Sequence, residues 1–164
     1  MKLSLFNIFT KKDVWQDKAE NTVYRATTTA TCIWDALFDS KLATVELAKK
    51  SDDIIFFLTV ASVHISSNEL GLSLIRNKKR DNELRTCMLD TFIAWDKNAY
   101  GAFDNCTDYI NKVMEAQSAD AIHEIAYGTW VTQHILERKL STQTELDIAA
   151  FLGGCLIKFM DVWH

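Results

Sequence analysis

Six side chains able to bind a partner or carry a proton recur at helical spacing in one short stretch: Asp120, His123, Tyr127, Trp130, His134 and Glu137. Steps of three, four, three, four and three residues keep them in one narrow arc of an α-helix. Two carboxylates, two imidazoles and two aromatic rings with polar tips on one strip describe a binding groove. The rings supply contact area, and the imidazoles and acids supply directional contacts. The same residue types also mark the half-buried boundary of a helical bundle, where apolar ring bodies are covered and polar tips stay wet. The apolar flank Ile122, Ala126, Leu136 and Leu140 reads as the core face of this helix.

Metal chemistry fits the strip less well. His123 and His134 are separated by about three turns, roughly 16 Å, and cannot share an ion. Asp120-x-x-His123 places two ligands one turn apart, but di-iron bundles repeat a Glu-x-x-His pair and add two more Glu. No second copy occurs in this chain. A metal-dependent enzyme on this strip would need His64 or Glu69 from another helix.

Elsewhere the signals point to structure. His64 and Asn68 are one turn apart with Phe57 on the same side, the spacing of a buried hydrogen-bonded pair. No serine or cysteine stands in a recognisable motif to be activated by His64, and no G-x-S-x-G is present. Gly153-Gly154 lacks the phosphate-loop frame and suits close helix packing. No catalytic residue, metal or cofactor is therefore expected. The function expected is that of a non-catalytic interaction or adaptor protein that binds a macromolecular partner through the strip. A helical pocket for a small apolar or aromatic ligand is the alternative, with nine Phe and five Trp available as walls; a metal-dependent enzyme ranks third.

Composition narrows the partners. The formal net charge is −4, with acids and bases interspersed, and the densest basic run is Lys78-Lys79-Arg80, followed at once by Asp81. Nucleic-acid binding needs a basic face, so no nucleic-acid partner is expected. Cys32, Cys87, Cys106 and Cys155 are widely spaced, without C-x-x-C. They read as small hydrophobes in a reducing, cytoplasmic setting. The apolar N-terminal run is short, is interrupted by Ser4 and Asn7, and leads into Thr10-Lys11-Lys12-Asp13 rather than a small-residue cleavage site. Residues 1–12 are read as an arm packing on the body, with a weak membrane-surface contact through Leu3, Phe6 and Phe9 as the other reading. The longest uncharged run, Ile54 to Asn68, is 15 residues with His64 neutral. Spanning a bilayer takes about 20, so no integral membrane association is expected.

The elements that must carry these residues are helices. The chain has no proline and five glycines, where average proline usage predicts roughly eight. Trp15, Ala19, Thr22, Ala26, Ala30, Ile33 and Leu37 line one face of a helix over 13–38, weakened at Thr27–Thr31 by β-branched residues. A shorter helix is expected from Ser40 to Lys50. Ser51 caps the next, whose four-three seam runs Ile54, Leu58, Ala61, Ile65, Asn68, Leu72 and Ile75. One long helix is expected from Asn82 to Gln117, with a break near Gly101 as the alternative. Ser118 caps the helix of the strip, and Thr142 with Glu145 forms a capping box for the last. Between Ile148 and Trp163 only Lys158 and Asp161 are charged. That helix is expected to be largely buried and central, or to form a homodimer interface through Phe151, Phe159 and Trp163. The expected fold is all-α: one helical-bundle domain over 13–164 with about five or six helices.

Overall fold

In the computed structural model, which describes residues 11–69, 82–116 and 122–161, the threonine-rich stretch lies inside a continuous helix, α1 (Lys11–Asp39). Its hydroxyls are accommodated by bonding back along the helix. Thr22, Thr27, Thr28 and Thr31 each donate to the carbonyl four residues earlier, at 2.8–3.0 Å. Ala19, Val23, Ala26, Ala30, Ile33 and Leu37 form the buried stripe. The expected N-terminal arm lies outside the described residues, except that Lys11 and Lys12 already belong to α1.

The helix expected from Ser40 contracts to one turn, α2 (Val45–Ala48). Ser40 Oγ donates to Leu37 O, closing α1 with a side chain instead of opening a new helix. Thr44 caps α2 and accepts from Leu47 N at 3.2 Å.

The centre of the bundle is α3 (Ser51–Glu69), which packs against α1, α2, α5, α6 and α7. Every residue from Leu58 to Ser67 is buried. Its hydroxyls tolerate this because Thr59, Ser66 and Ser67 donate to their own i−4 carbonyls at 2.7–2.9 Å. Ser62 Oγ is buried without a hydrogen-bond partner among the described residues. Ile54, Leu58, Ala61 and Ile65 are buried as the seam predicts, but Asn68 is exposed; Leu72 and Ile75 lie outside the described residues.

The long helix expected over 82–117 is two: α4 (Asn82–Trp95) and α5 (Ala99–Ala116). The break is at Asp96-Lys97-Asn98, not Gly101. Asp96 Oδ1 accepts Asn98 N–H at 2.7 Å, an Asx turn that takes over from helical bonding. The four-three stripe survives the break because three turn residues occupy about one helical turn. Phe92 and Phe103 both stay in the core, with ring centroids 5.9 Å apart.

The remaining helices are α6 (Ile122–Leu136) and α7 (Gln143–Asp161). They pack so closely that a Cβ on Gly128 would sit 1.8 Å from Ala149 O and 2.8 Å from Gly153 N. Gly153 therefore takes part in the close approach expected of the glycine pair, whereas a Cβ on Gly154 meets nothing within 4 Å. Along α7, Ile148, Ala149, Leu152 and Leu156 are buried, while Leu146 is 50% exposed. The fold is an all-α helical bundle, with seven helices and no strand among the described residues. No described helix is long and apolar enough to cross a membrane.

Candidate functional site

The strip on α6 is divided by depth. Tyr127 and Trp130 are 1% and 0% exposed and belong to the core. The physical reason is that α6 packs on α7, α3 and α5, which leaves Ile125 as the one exposed residue over 125–136. His134 is half-buried and Glu137 is exposed just past the helix end. Asp120 and the His123 side chain lie outside the described part.

The buried polar tips find partners inside the bundle. Tyr127 Oη lies 2.6 Å from His64 Nδ1, and Asn68 Nδ2 lies 3.4 Å from the same nitrogen. In the tautomer that carries its proton on Nε2, Nδ1 accepts from both the hydroxyl and the amide. The expected His64–Asn68 pair is thus present, completed by a residue of α6. Trp130 Nε1–H donates to Asn105 Oδ1 at 2.9 Å.

His134 lines a shallow groove of about 420 Å³ with Phe57, Gln133, Glu137, Arg138 and Lys139. Its ring lies 4.7 Å from Trp130 and 5.1 Å from Phe57. Its Nδ1 donates to Trp130 O at 2.8 Å, which leaves Nε2 as the acceptor of the neutral ring. The groove stands on a tightly closed helix end. Arg138 N–H bonds Gln133 O at 3.2 Å across Glu137, whose φ is 55°, in a Schellman arrangement. Lys50 Nζ adds a bond to Ile135 O at 2.7 Å and an ion pair with Glu137 at 3.2 Å. A left-handed residue with a Cβ costs about 1 kcal/mol. Glu137→Gly is therefore expected to stabilise the fold by about 0.5–1 kcal/mol net of the exposed ion pair. Urea denaturation checks this, and a lower midpoint would contradict it.

Arg138 then ties three elements together. It grips Glu46 of α2 through both guanidinium nitrogens at 2.9 and 3.1 Å and reaches Glu145 of α7 at 3.0 Å. Glu145 completes the expected capping box, accepting Ser141 N at 2.7 Å and Thr142 N at 3.0 Å while Thr142 Oγ1 accepts Glu145 N. Those backbone donors, with Arg138, pull the Glu145 pKa from 4.5 down to about 2. Arg138 lowers that of Glu46 in the same sense. A depressed carboxyl contributes stability that is complete above its unfolded value and disappears as the folded value is passed. The stability lost by Glu145→Gln is accordingly expected to be constant above pH about 5 and to vanish towards pH 2. Urea midpoints of both proteins across that range measure it.

A larger groove, about 660 Å³, lies between α1 and α4. Sequence patterning gave no reason to look there. Gln16, Glu20, Val23, Tyr24 and Thr27 form the α1 wall, and Asp90, Thr91, Ala94 and Trp95 the α4 wall. Gln16 Nε2 crosses between the walls to Thr91 Oγ1 at 3.1 Å. Tyr24 is 71% exposed. Trp95 is held rigidly, stacked nearly parallel to Phe92 at 5.7 Å and to Phe56 at 5.6 Å. The signal that could have found this groove is Tyr24 itself, an aromatic off the Trp15–Ala19–Thr22–Ala26 stripe.

The cysteines divide likewise. Cys87 and Cys106 are buried, Cys155 is half-buried, and Cys32 faces solvent rather than apolar neighbours because it falls beside the Ala30–Ile33 stripe. Burial pushes the Cys106 and Cys155 thiols up, away from the nucleophilic thiolate. Among the described residues no three His, Cys, Asp or Glu side chains converge as metal ligands. Phe151 and Phe159 of α7 are half-buried against the core, and Trp163 lies outside the described residues.

The site and fold together define a helical bundle whose described surface includes these two grooves. Set against known proteins, the chain matches no family model, and no curated protein or solved structure is similar to it.

Proposed function

We propose that this protein is a non-catalytic interaction protein that docks a macromolecular partner in the groove between α1 and α4. The observation that carries the reading is the exposed ring of Tyr24 lining the same trough as Trp95, which is stacked on Phe56 and Phe92. Amphipathic aromatics of this kind dominate binding energy at interfaces, since they bring large area at small entropic cost. The free cysteines are in keeping with a reducing, cytoplasmic setting. The strip on α6 contributes its outer end, His134 and Glu137, to the smaller groove, while its aromatic members hold the core.

The test is photo-crosslinking in the protein's own host, with a benzophenone side chain at position 24 and, as control, at Leu146 of α7, which is also exposed. A discrete adduct at position 24 that is absent at 146 is the expected result. Adducts no stronger at 24 than at 146 would overturn the reading. Tyr24→Ala should leave the thermal midpoint almost unchanged, within about 0.5 kcal/mol, so loss of the partner would not reflect unfolding.

A small apolar or aromatic ligand is the second reading, and the observation favouring it is size: the groove volume of about 660 Å³ falls within the span of small-molecule pockets. Native mass measurement separates the two, because a bound small molecule adds a small increment to the mass of the chain, whereas a docked protein adds its own, far larger mass.

A further inference from the structure

The charged and apolar members of the α1–α4 groove lining specify what lies in it. We infer, resting on the reading above, that the occupant is an amphipathic helix of a partner protein, with lysines or arginines on both sides of its apolar face. The α1 wall follows positions 16, 20, 23, 24 and 27, about three helical turns, and the α4 wall positions 90 to 95, about one and a half, so both walls are present over about 8 Å. A trough bounded by two helices accepts a third by laying its side-chain ridge between theirs. Val23, Ala94 and Trp95, the apolar members of the lining, meet the apolar face.

The charge is on the rims. Glu20 stands on the α1 wall and Asp90 on the α4 wall, both exposed. No lysine or arginine lines the groove among the described residues. Glu20 accepts Gln16 Nε2 at 2.8 Å, a neutral donor that leaves its charge uncompensated. One carboxylate per wall favours a helix with cations along both edges, and opposes one edged with acids, as complementary charge at a rim sets partner choice. The ring of Tyr24 adds a face over which a partner cation can settle. The chain as a whole carries a net charge of −4, which steers the same kind of partner.

The experiment uses the isotope-labelled full chain and three synthetic helices of about fourteen residues, four turns. They share one leucine face and carry lysine, glutamine or glutamate at its edges. The lysine peptide is expected to shift the backbone amides of Tyr24, Thr91 and Trp95 and to bind about fivefold more tightly than the glutamine peptide, with the glutamate peptide weakest. Glu20→Gln with Asp90→Asn should remove that fivefold preference. Glu115→Gln with Asp147→Asn, the same charge change on α5 and α7, should preserve it. Equal binding of lysine and glutamine peptides at these amides overturns the cationic helix while leaving the groove as a docking site. Groove amides unmoved by any peptide also overturn it; crosslinking at position 24 then decides separately whether the groove reading stands.

Discussion

Gly128→Ala is expected to lower the stability of the fold by about 3 kcal/mol and its thermal midpoint by about 10 °C. The added methyl would fall 1.8 Å from Ala149 O and 2.8 Å from Gly153 N, and these are backbone atoms. A flexible side chain can swing away from such a contact, but a helix backbone can relieve it only by moving as a body. Separating α6 from α7 would loosen the most extensive helix pair in the molecule. Gly154→Ala and Gly101→Ala supply the contrast. Added Cβ atoms there meet nothing within 4 Å, so each is expected to gain up to about 1 kcal/mol of helix propensity. Urea denaturation followed by circular dichroism measures all three. A Gly128→Ala protein within about 0.5 kcal/mol of wild type would show that the helices are not packed at this distance.

Trp130→Ala is expected to cost about 4 kcal/mol. The ring is fully enclosed, packs edge-on against Phe57 at 5.6 Å, and lies 4.7 Å from the His134 ring. Truncation leaves a large cavity where α6 meets α3. Trp130→Phe keeps the edge contact but loses the donor to Asn105 Oδ1. Asn105 is exposed and turns to water, so that variant is expected to lose only about 1–2 kcal/mol. Calorimetric or urea-derived stabilities separate the two, and equal effects would place the indole outside the core. One consequence bears on function. Lost binding in a Tyr127→Ala, Trp130→Ala protein would report unfolding, so partner binding is better tested at Tyr24.

The helical nature of the chain was legible because its evidence is local. Absent proline, the apolar stripe of α1 and the Thr142–Glu145 capping box each depend on residues within a turn or two of one another. The break at Asp96 was legible in principle, since Asp-Lys-Asn is turn chemistry. It was masked because a three-residue turn preserves the helical phase. The burial of α3 was concealed for a different reason. Its serines and threonines are polar by composition, yet in a helix hydroxyls such as those of Thr59, Ser66 and Ser67 are satisfied by carbonyls of the same helix and can be buried almost like alanines.

By itself, then, the sequence determined that this protein is an all-α bundle and set which face of α1 turns inward, because period and capping are properties of neighbouring residues. Only the tertiary structure decided that α3 rather than α7 is the centre, that Tyr127 and Trp130 are enclosed and bond to His64 and Asn105 of neighbouring helices, and that the α1–α4 trough stays open beside Tyr24. The spacing on α6 specifies a strip, but depth along it depends on the helices that lie over it. Those helices are far away in sequence, and nothing in the periodicity of one helix records which of its neighbours will cover it.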